Sequence, residues 1–104
     1  MRHTISVLVN PQRVFYALAS VPRRQIIAFL SQTALSTADL AERFRMTRPA
    51  VSRHLSVLQR AGLVAGERQG QRVLYRLKRD ALLEALARFA SEVDGPLRTP
   101  RNAI

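Results

Sequence analysis

Two helices joined by a short turn are encoded in LAERFRMTRPAVSRHLSVLQRAG, residues 40–62. The first helix has the i, i+1, i+4 apolar spacing of a buried face, on Leu40, Ala41 and Phe44. We expect it to begin after Ser36 and Thr37. After a break of a few residues, a second helix runs from Arg48 to about Ala61. So short a turn between two helices predicts a helix-turn-helix.

Cap residues delimit this second helix and the two helices that precede the pair. Thr47 is the predicted N-cap of the helix from Arg48, and Gly62 ends it. Upstream, Asn10 and Pro11 predict a helix over residues 10–19. A further helix begins near Ser20 and runs to about Gln32.

A β-hairpin and a last helix follow the pair. Residues 63–77 contain alternating apolar and polar positions and turn around Gly70, which predicts the hairpin. Asp80 is the predicted cap of a final helix that ends near Val93. The expected fold is mainly helical with a small β-hairpin: a winged helix-turn-helix in the order α-α-α-α-β-β-α.

The chain has the length of one domain. With 104 residues, we expect an N-terminal arm (1–9), a single folded domain (10–93) and a flexible tail (94–104). No stretch approaches the roughly 18 apolar residues that span a bilayer. The apolar run at residues 5–9 is too short for a secretory signal. We therefore expect a cytoplasmic protein that does not associate with a membrane.

Composition points to a polyanionic partner. Seventeen basic residues face seven acidic ones, the formal net charge is +10, and every basic residue except Lys78 is arginine. This excess repels itself unless a polyanion neutralises it, so nucleic acid is the expected partner. The alternative is that arginine enrichment reflects genome composition and solubility.

Few residues suit catalysis or metal binding. The chain has no cysteine, which excludes disulfides and thiolate metal sites. Its only histidines are His3 and His54, and its carboxylates are scattered, so no nucleophile, base and orienting group can be assembled. His54 lies at the edge of a buried arc, where a packed, hydrogen-bonded role is expected. We predict no enzyme, cofactor or metal.

The helix from Arg48 has two chemically distinct sides. Val51, Leu55 and Leu58 fall within one narrow arc that faces the core. The opposite side carries small hydroxyls and arginines: Pro49, Ser52, Arg53, Ser56 and Arg60, flanked by Arg48 and Gln59. No acidic residue lies between Arg43 and Arg60. Arginine and serine in this arrangement suit the major groove of DNA.

We assign DNA contacts on this side by position. Arg48, Ser52 and Arg53 are predicted to contact base edges, with Thr47 and Ser56 nearer phosphates and Pro49 on the same DNA-facing side. The alternative is an ordinary solvated helix face, although such a face usually mixes charges of both signs.

Basic residues elsewhere give less specific signals. In the hairpin, the predicted contacts to phosphates or the minor groove are Arg68, Gln69 and Arg72. A plain solvated turn explains them equally well. Arg23 and Arg24 fit either a phosphate contact or an ion pair with Asp39 or Glu42, and the sequence leaves both open.

The stretch from residue 40 to residue 77 resembles the ArsR/SmtB family of winged-helix repressors. The specific marks are AVSRHL at residues 50–55, AGLV at residues 61–64, and Leu58, Gly70 and Tyr75. The resemblance extends over about residues 10–93. It implies a homodimer in which the fourth helix reads duplex DNA and the first and last helices form the interface.

Apolar residues on those two helices agree with an interface: Val14, Phe15, Leu18, Leu82, Leu86 and Phe89. They exceed what so small a core needs, so burial between two chains is expected. The alternative is that they complete the core of one chain.

The chain departs from the family's metal sensors. The region from Ser36 to Leu40 lacks the cysteine pair that many of them carry, and the last helix has Asp80, Glu84 and Glu92 but no histidine. Zinc prefers nitrogen and sulfur ligands. The resemblance is therefore to the metal-independent, autorepressor-like members. Both an organic effector between the dimer helices and no effector at all stay open.

Together these observations predict a sequence-specific transcriptional regulator. It is expected to act as a homodimer on a palindromic operator, and the family implies repression. The alternative is a module of the same fold that binds DNA without sequence preference, for an architectural or interaction role.

Overall fold

The structure is a computed structural model that describes residues 10–95. The predicted arm (1–9) and the predicted tail beyond residue 95 lie outside the described residues. In chain order the elements are α1 (Pro11–Leu18), α2 (Val21–Leu30), β1 (Leu35–Ser36), α3 (Thr37–Phe44), α4 (Arg48–Arg60), β2 (Val64–Gln69), β3 (Arg72–Leu77) and α5 (Arg79–Asp94). None of the helices within this part of the chain is long and apolar enough to cross a bilayer.

The predicted N-caps of three helices are confirmed by side-chain hydrogen bonds. The Asn10 Oδ1 accepts from the Gln12 backbone N–H at 2.9 Å. The Ser20 and Thr47 hydroxyl oxygens accept from backbone N–H groups three residues later. These bonds satisfy donors that the first turn of a helix otherwise leaves unpaired. At the other end of α4, Gly62 has φ 78°, a conformation that glycine adopts without steric cost.

The prediction that Asp80 caps the last helix is wrong. Lys78 is the N-cap residue and makes no side-chain cap bond, so Asp80 lies in the first turn of α5. The Lys78 N–H donates to the Leu63 carbonyl at 2.7 Å, which ties the end of β3 to the start of β2 and turns the chain into α5 early. A carboxylate in the first turn still interacts favourably with the helix dipole. Helix α5 extends to Asp94, one residue beyond the predicted helix end near Val93.

The hairpin of β2 and β3, residues 64–77, forms the wing. It is part of a three-stranded antiparallel sheet in the order β1-β3-β2. The predicted hairpin is present, with Val64 opposite Leu77 and Gln69 opposite Arg72 at the turn. Strand β1 was not predicted. It contains only two residues, too few to show an alternating pattern, and pairs Leu35 with Tyr75. This pairing fastens the base of the wing to the start of α3.

The core lies between α1, α2, the helix-turn-helix pair and the base of the sheet. Val51, Leu55 and Leu58 of α4 are fully buried, as their spacing predicts. They pack with apolar residues of the other core elements. These include Val14 of α1, Ile26 and Leu30 of α2, Leu40 of α3, and Leu63 just before β2. Because α4 buries one side so completely, its opposite side is held toward solvent.

Candidate nucleic-acid interface

The α4 basic face consists of the exposed side of the fourth helix: Arg48, Pro49, Ser52, Arg53, Ser56 and Arg60. All are solvent-exposed except Ser56, which is half-buried. Within the described residues, none of its three arginines forms an ion pair. Three uncompensated guanidinium groups on one helix side therefore face solvent, free to donate to an anion.

The start of α4 adds a second source of positive potential. The Thr47 hydroxyl oxygen accepts from the Ala50 N–H at 3.2 Å, so its own O–H is left to donate. The first turn of α4 contains no acidic side chain. The positive end of the helix dipole therefore adds to the arginines, as at many phosphate-binding helix termini.

The three wing residues predicted to contact DNA differ in the bonds that their side chains make within the chain. Arg68 Nη1 donates to the Gly70 carbonyl at 3.4 Å, which folds this side chain along the turn. Gln69 is exposed beside it. Arg72 Nη2 lies 2.9 Å from Asp39 Oδ2 in an exposed ion pair. A guanidinium has five N–H donors, so Arg72 keeps free donors while it holds the wing against α3.

Asp39 links the helix-turn-helix to the wing. Its carboxylate accepts from the Ser36 N–H at 3.0 Å, and the Ser36 hydroxyl accepts from the Asp39 N–H at 3.1 Å. These reciprocal bonds form a capping box at the start of α3. The hydrogen bonds from Ser36, with smaller contributions from Arg72 and Arg43, hold the pKa of Asp39 below 3.8. It stays ionised, and so stays paired with Arg72, at neutral pH.

Arg23 and Arg24 resolve an alternative that the sequence left open. Neither pairs with Asp39 or Glu42, because both arginines are used at the carboxyl end of α1. Arg24 Nη1 donates to the Leu18 carbonyl at 2.6 Å. The carbonyls at a helix C-terminus lack partners within the helix and carry its negative dipole, which favours arginine there.

Arg23 also reaches α4. Its Nε and Nη2 donate to the carbonyls of Ala17 and Tyr16 at 2.9 and 3.1 Å. Its Nη1 lies 3.3 Å from Nδ1 of His54. Burial, reinforced by Arg23 and then Arg53, lowers the pKa of His54 below 6.5. His54 is therefore neutral at neutral pH and accepts from Arg23, which fits the packed, hydrogen-bonded role expected for it.

The residues predicted for a dimer interface divide into three groups by their burial. Val14 is fully buried inside the chain and has no surface to offer a partner, so the prediction that it contributes to the interface is wrong. Leu18 and Leu82 are partly buried against the core. The exposed members are Phe15, Leu86 and Phe89, joined by two residues that were not predicted, Leu83 and Val93.

No metal site is evident in the described part of the chain: among residues 10–95, no three histidine or carboxylate side chains lie close enough to hold an ion.

Comparison with known proteins identifies the family to which this chain belongs. The family model for bacterial regulatory proteins of the arsR family matches residues 20–65. The chain is 32% identical over 73 residues to the transcriptional repressor SdpR of Bacillus subtilis, which covers 70% of this chain and 81% of that protein. The chain belongs to the arsR family. This family and its relatives are transcriptional regulators, not enzymes, as the sequence predicts.

Two further proteins are similar to this chain. The transcriptional activator HlyU of Vibrio cholerae is 36% identical over 76 residues, covering 70% of each chain. Among solved structures, the homodimeric winged helix-turn-helix DNA-binding domain of Mb0332 from Mycobacterium bovis superimposes with a TM-score of 0.67. It is 28% identical, and the match covers 86% of each chain. The winged helix-turn-helix predicted from the sequence of this arsR-family chain is therefore confirmed.

Proposed function

We propose that this arsR-family chain is a sequence-specific repressor that binds a palindromic operator as a homodimer. The N-terminal half of α4 enters the major groove, where Arg48, Ser52 and Arg53 contact base edges. Thr47 and Ser56 contact phosphates, and the wing residues Arg68, Gln69 and Arg72 lie along the flanking backbone. Arginine distinguishes guanine through paired donors to O6 and N7.

The observation that carries this proposal is the α4 basic face itself. Arginines and small hydroxyls are exposed along one side of a rigid helix, and no carboxylate occurs between Arg43 and Arg60. A groove-binding helix needs exposed donors on a side held away from the core. The complete burial of Val51, Leu55 and Leu58 on the other side supplies that support.

Apolar exposure on α1 and α5 supports a dimer. Phe15 and Phe89 pack edge to face with ring centroids 5.5 Å apart, yet Phe89 remains 52% exposed and Leu83 54% exposed. Exposed large apolar side chains on two adjoining helices are typical of a protein interface. Two-fold pairing through α1 and α5 would set two copies of α4 to face half-sites about 34–36 Å apart. The similar Mycobacterium bovis domain is homodimeric, which supports a dimer.

We propose that the protein represses transcription and does not activate it. A dimer bound over a promoter blocks polymerase, and SdpR, to which the chain is similar, is a repressor. HlyU, to which the chain is also similar, is an activator, so a reporter assay must distinguish the two directions of regulation. Expression of a reporter gene placed behind the operator should fall when the protein is supplied. It should recover when the arginines of the α4 basic face are replaced. Increased reporter expression would overturn repression but not DNA binding.

Sequencing of the DNA fragments that the purified protein enriches should return a palindromic site. Gel shifts then compare that site with a scrambled duplex. Arg53→Ala should lower the ratio of the two affinities, with about 1–3 kcal/mol of discrimination lost at the base pair it contacts. The control is Arg79→Ala, which removes the same charge at the start of α5, away from α4. There Arg79 donates to the Ser31 carbonyl at the end of α2.

Equal affinity for both duplexes would contradict sequence-specific binding and support the non-specific architectural role instead.

A further inference from the structure

A cleft between α1 and α4 carries charges that the proposed base contacts do not use. It is lined by Arg13, Tyr16, Val57 and Arg60, which we call the α1–α4 cleft. Arg13 and Arg60 both form no ion pair with any residue in the range 10–95. Two arginines that share a cleft repel each other unless an anion lies between them. The cleft therefore has the charge of an anion site.

Tyr16 forms an ordered wall of this cleft. The Arg23 guanidinium lies 5.2 Å from the centre of its ring, and Arg23 Nη2 donates to its backbone carbonyl. Tyr16 as a whole nevertheless remains 65% exposed. The phenol O–H is thus presented at the edge of the cleft, where it can donate to an oxygen anion.

The cleft lies on the same side of α4 as the base-reading residues. Arg60 follows Arg53 by seven residues, and two turns of a helix take about 7.2 residues, so their side chains leave α4 in nearly the same direction. With 13 residues, α4 is about 20 Å long. The major groove is about 12 Å wide. When α4 inserts with its start on the base edges and its axis inclined to the groove, its far end therefore reaches the phosphate backbone that borders the groove.

We propose that the α1–α4 cleft binds a backbone phosphate of the operator, with Arg13 and Arg60 as its ligands and Tyr16 as a further donor. This inference rests on the proposed function, and it extends the DNA interface from the helix-turn-helix and wing to α1. The contact carries no sequence information, since phosphates are the same at every base pair. It fixes the depth and tilt of α4 in the groove.

The proposed dimer leaves this cleft open. On α1, Phe15 follows Arg13 by two residues, which places the two side chains about 200° apart around the helix axis. Phe15 packs against Phe89 of α5, whereas Arg13 faces α4 across the cleft. One helix can therefore contribute one side to a partner subunit and the other side to DNA.

The test is the salt dependence of operator affinity for Arg13→Ala, Arg60→Ala and the double variant. The proposed dimer has two such clefts, so loss of one phosphate contact per subunit in the double variant should reduce the magnitude of the slope of log K against log salt by about 1.8, or about 0.9 per phosphate, measured from about 50 to 200 mM salt. Each single variant should reduce it by less, because one arginine remains at each phosphate. The ratio of operator to scrambled affinity should stay at the wild-type value. Arg79→Ala is the matched control for a lost charge and should keep the wild-type slope. Arg13→Lys and Arg60→Lys keep the positive charge and should also show the wild-type slope.

An unchanged slope in the folded double variant would overturn the phosphate site. A lower affinity ratio for operator over scrambled duplex would also overturn it, because that result assigns the cleft to base recognition. If instead the wild-type protein binds both duplexes equally, sequence-specific recognition fails and the slope measurements still decide the cleft. Thermal unfolding monitored by circular dichroism establishes that each variant is folded.

Discussion

Arg23 and His54 meet across 31 residues of sequence, with Arg23 Nη1 lying 3.3 Å from Nδ1 of His54. The same guanidinium donates to the carbonyls of Tyr16 and Ala17 at the end of α1. One side chain therefore joins α1, α2 and α4. Because His54 follows Arg53 on α4, this contact lies beside the proposed DNA-reading surface.

The first prediction concerns the pH dependence of stability. Burial, then Arg23 and Arg53, lowers the pKa of His54 below 6.5 in the folded chain. Between that lowered pKa and 6.5, the unfolded chain binds more protons than the folded one, so the free energy of unfolding rises with pH. Stability should be lower at pH 5.5 than at pH 7.5, measured by urea denaturation.

The matched variant is His54→Gln, which keeps a side-chain acceptor for Arg23 but does not titrate. We expect it to unfold at the same urea concentration at both pH values. A His54→Gln protein that keeps the full pH dependence would show that another group is responsible.

The second prediction concerns the turn of the helix-turn-helix. Arg45 has φ 55° and ψ 42°, the left-handed conformation that glycine adopts most easily. Arg45→Gly should raise the free energy of unfolding by about 0.5–1 kcal/mol, since relief of the steric cost outweighs the added entropy of the unfolded chain. Urea denaturation measures the change.

The control for this change is Arg43→Gly, which removes the same charge inside α3. It should lower the free energy of unfolding by about 1 kcal/mol, because glycine is unfavourable in a helix. Destabilisation by both substitutions would show that the conformation of Arg45 costs the fold nothing.

The third prediction addresses the proposed dimer. Phe89→Glu places a carboxylate in the apolar contact between α1 and α5, where burial of an unpaired charge is costly. The dissociation constant of the dimer should rise by tenfold or more, about 1.4 kcal/mol, in sedimentation equilibrium. Val21→Glu, an equally drastic change at an exposed residue on α2, should leave it unchanged. A Phe89→Glu protein that sediments as the wild type does would place the interface elsewhere.

The fourth prediction is that DNA binding does not depend on a metal. The chain has no cysteine, and the acidic residues of α5 lack a histidine partner on that helix, which makes a poor zinc site. Operator affinity should be the same in excess EDTA and in added zinc. A change of about fivefold or more, the lower end of allosteric coupling, would instead identify a metal sensor.

The sequence predicted local features well because each depends on residues only a few positions apart. Helix caps such as Asn10, Ser20 and Thr47 bond to backbone groups two or three residues later. The buried arc of α4 follows from helical geometry alone. The prediction failed at Asp80 because the helix begins two residues earlier, after Lys78, whose N–H donates to the distant Leu63 carbonyl in a contact that local spacing does not reveal.

Long-range pairings needed the tertiary structure. Asp39 and Arg72 are 33 residues apart in the chain, and either could have paired with several other charged residues. The two residues of β1 carry no periodic signal and become a strand only because β3 supplies hydrogen-bonding partners. Val14 and Phe15 are neighbours with similar polarity, yet one is in the core and the other is exposed.

By itself, the sequence determined the helical order, the capped ends, the hairpin and a cationic, acid-free side of α4, since propensity and spacing act over a few residues. Only the tertiary structure decided which arginines remain uncompensated. Arg23, Arg24 and Arg72 are engaged by carbonyls or a carboxylate from distant segments, while Arg13, Arg53 and Arg60 have no such partner within residues 10–95. A charge is neutralised by whatever lies near it in space, and chain folding alone sets that proximity.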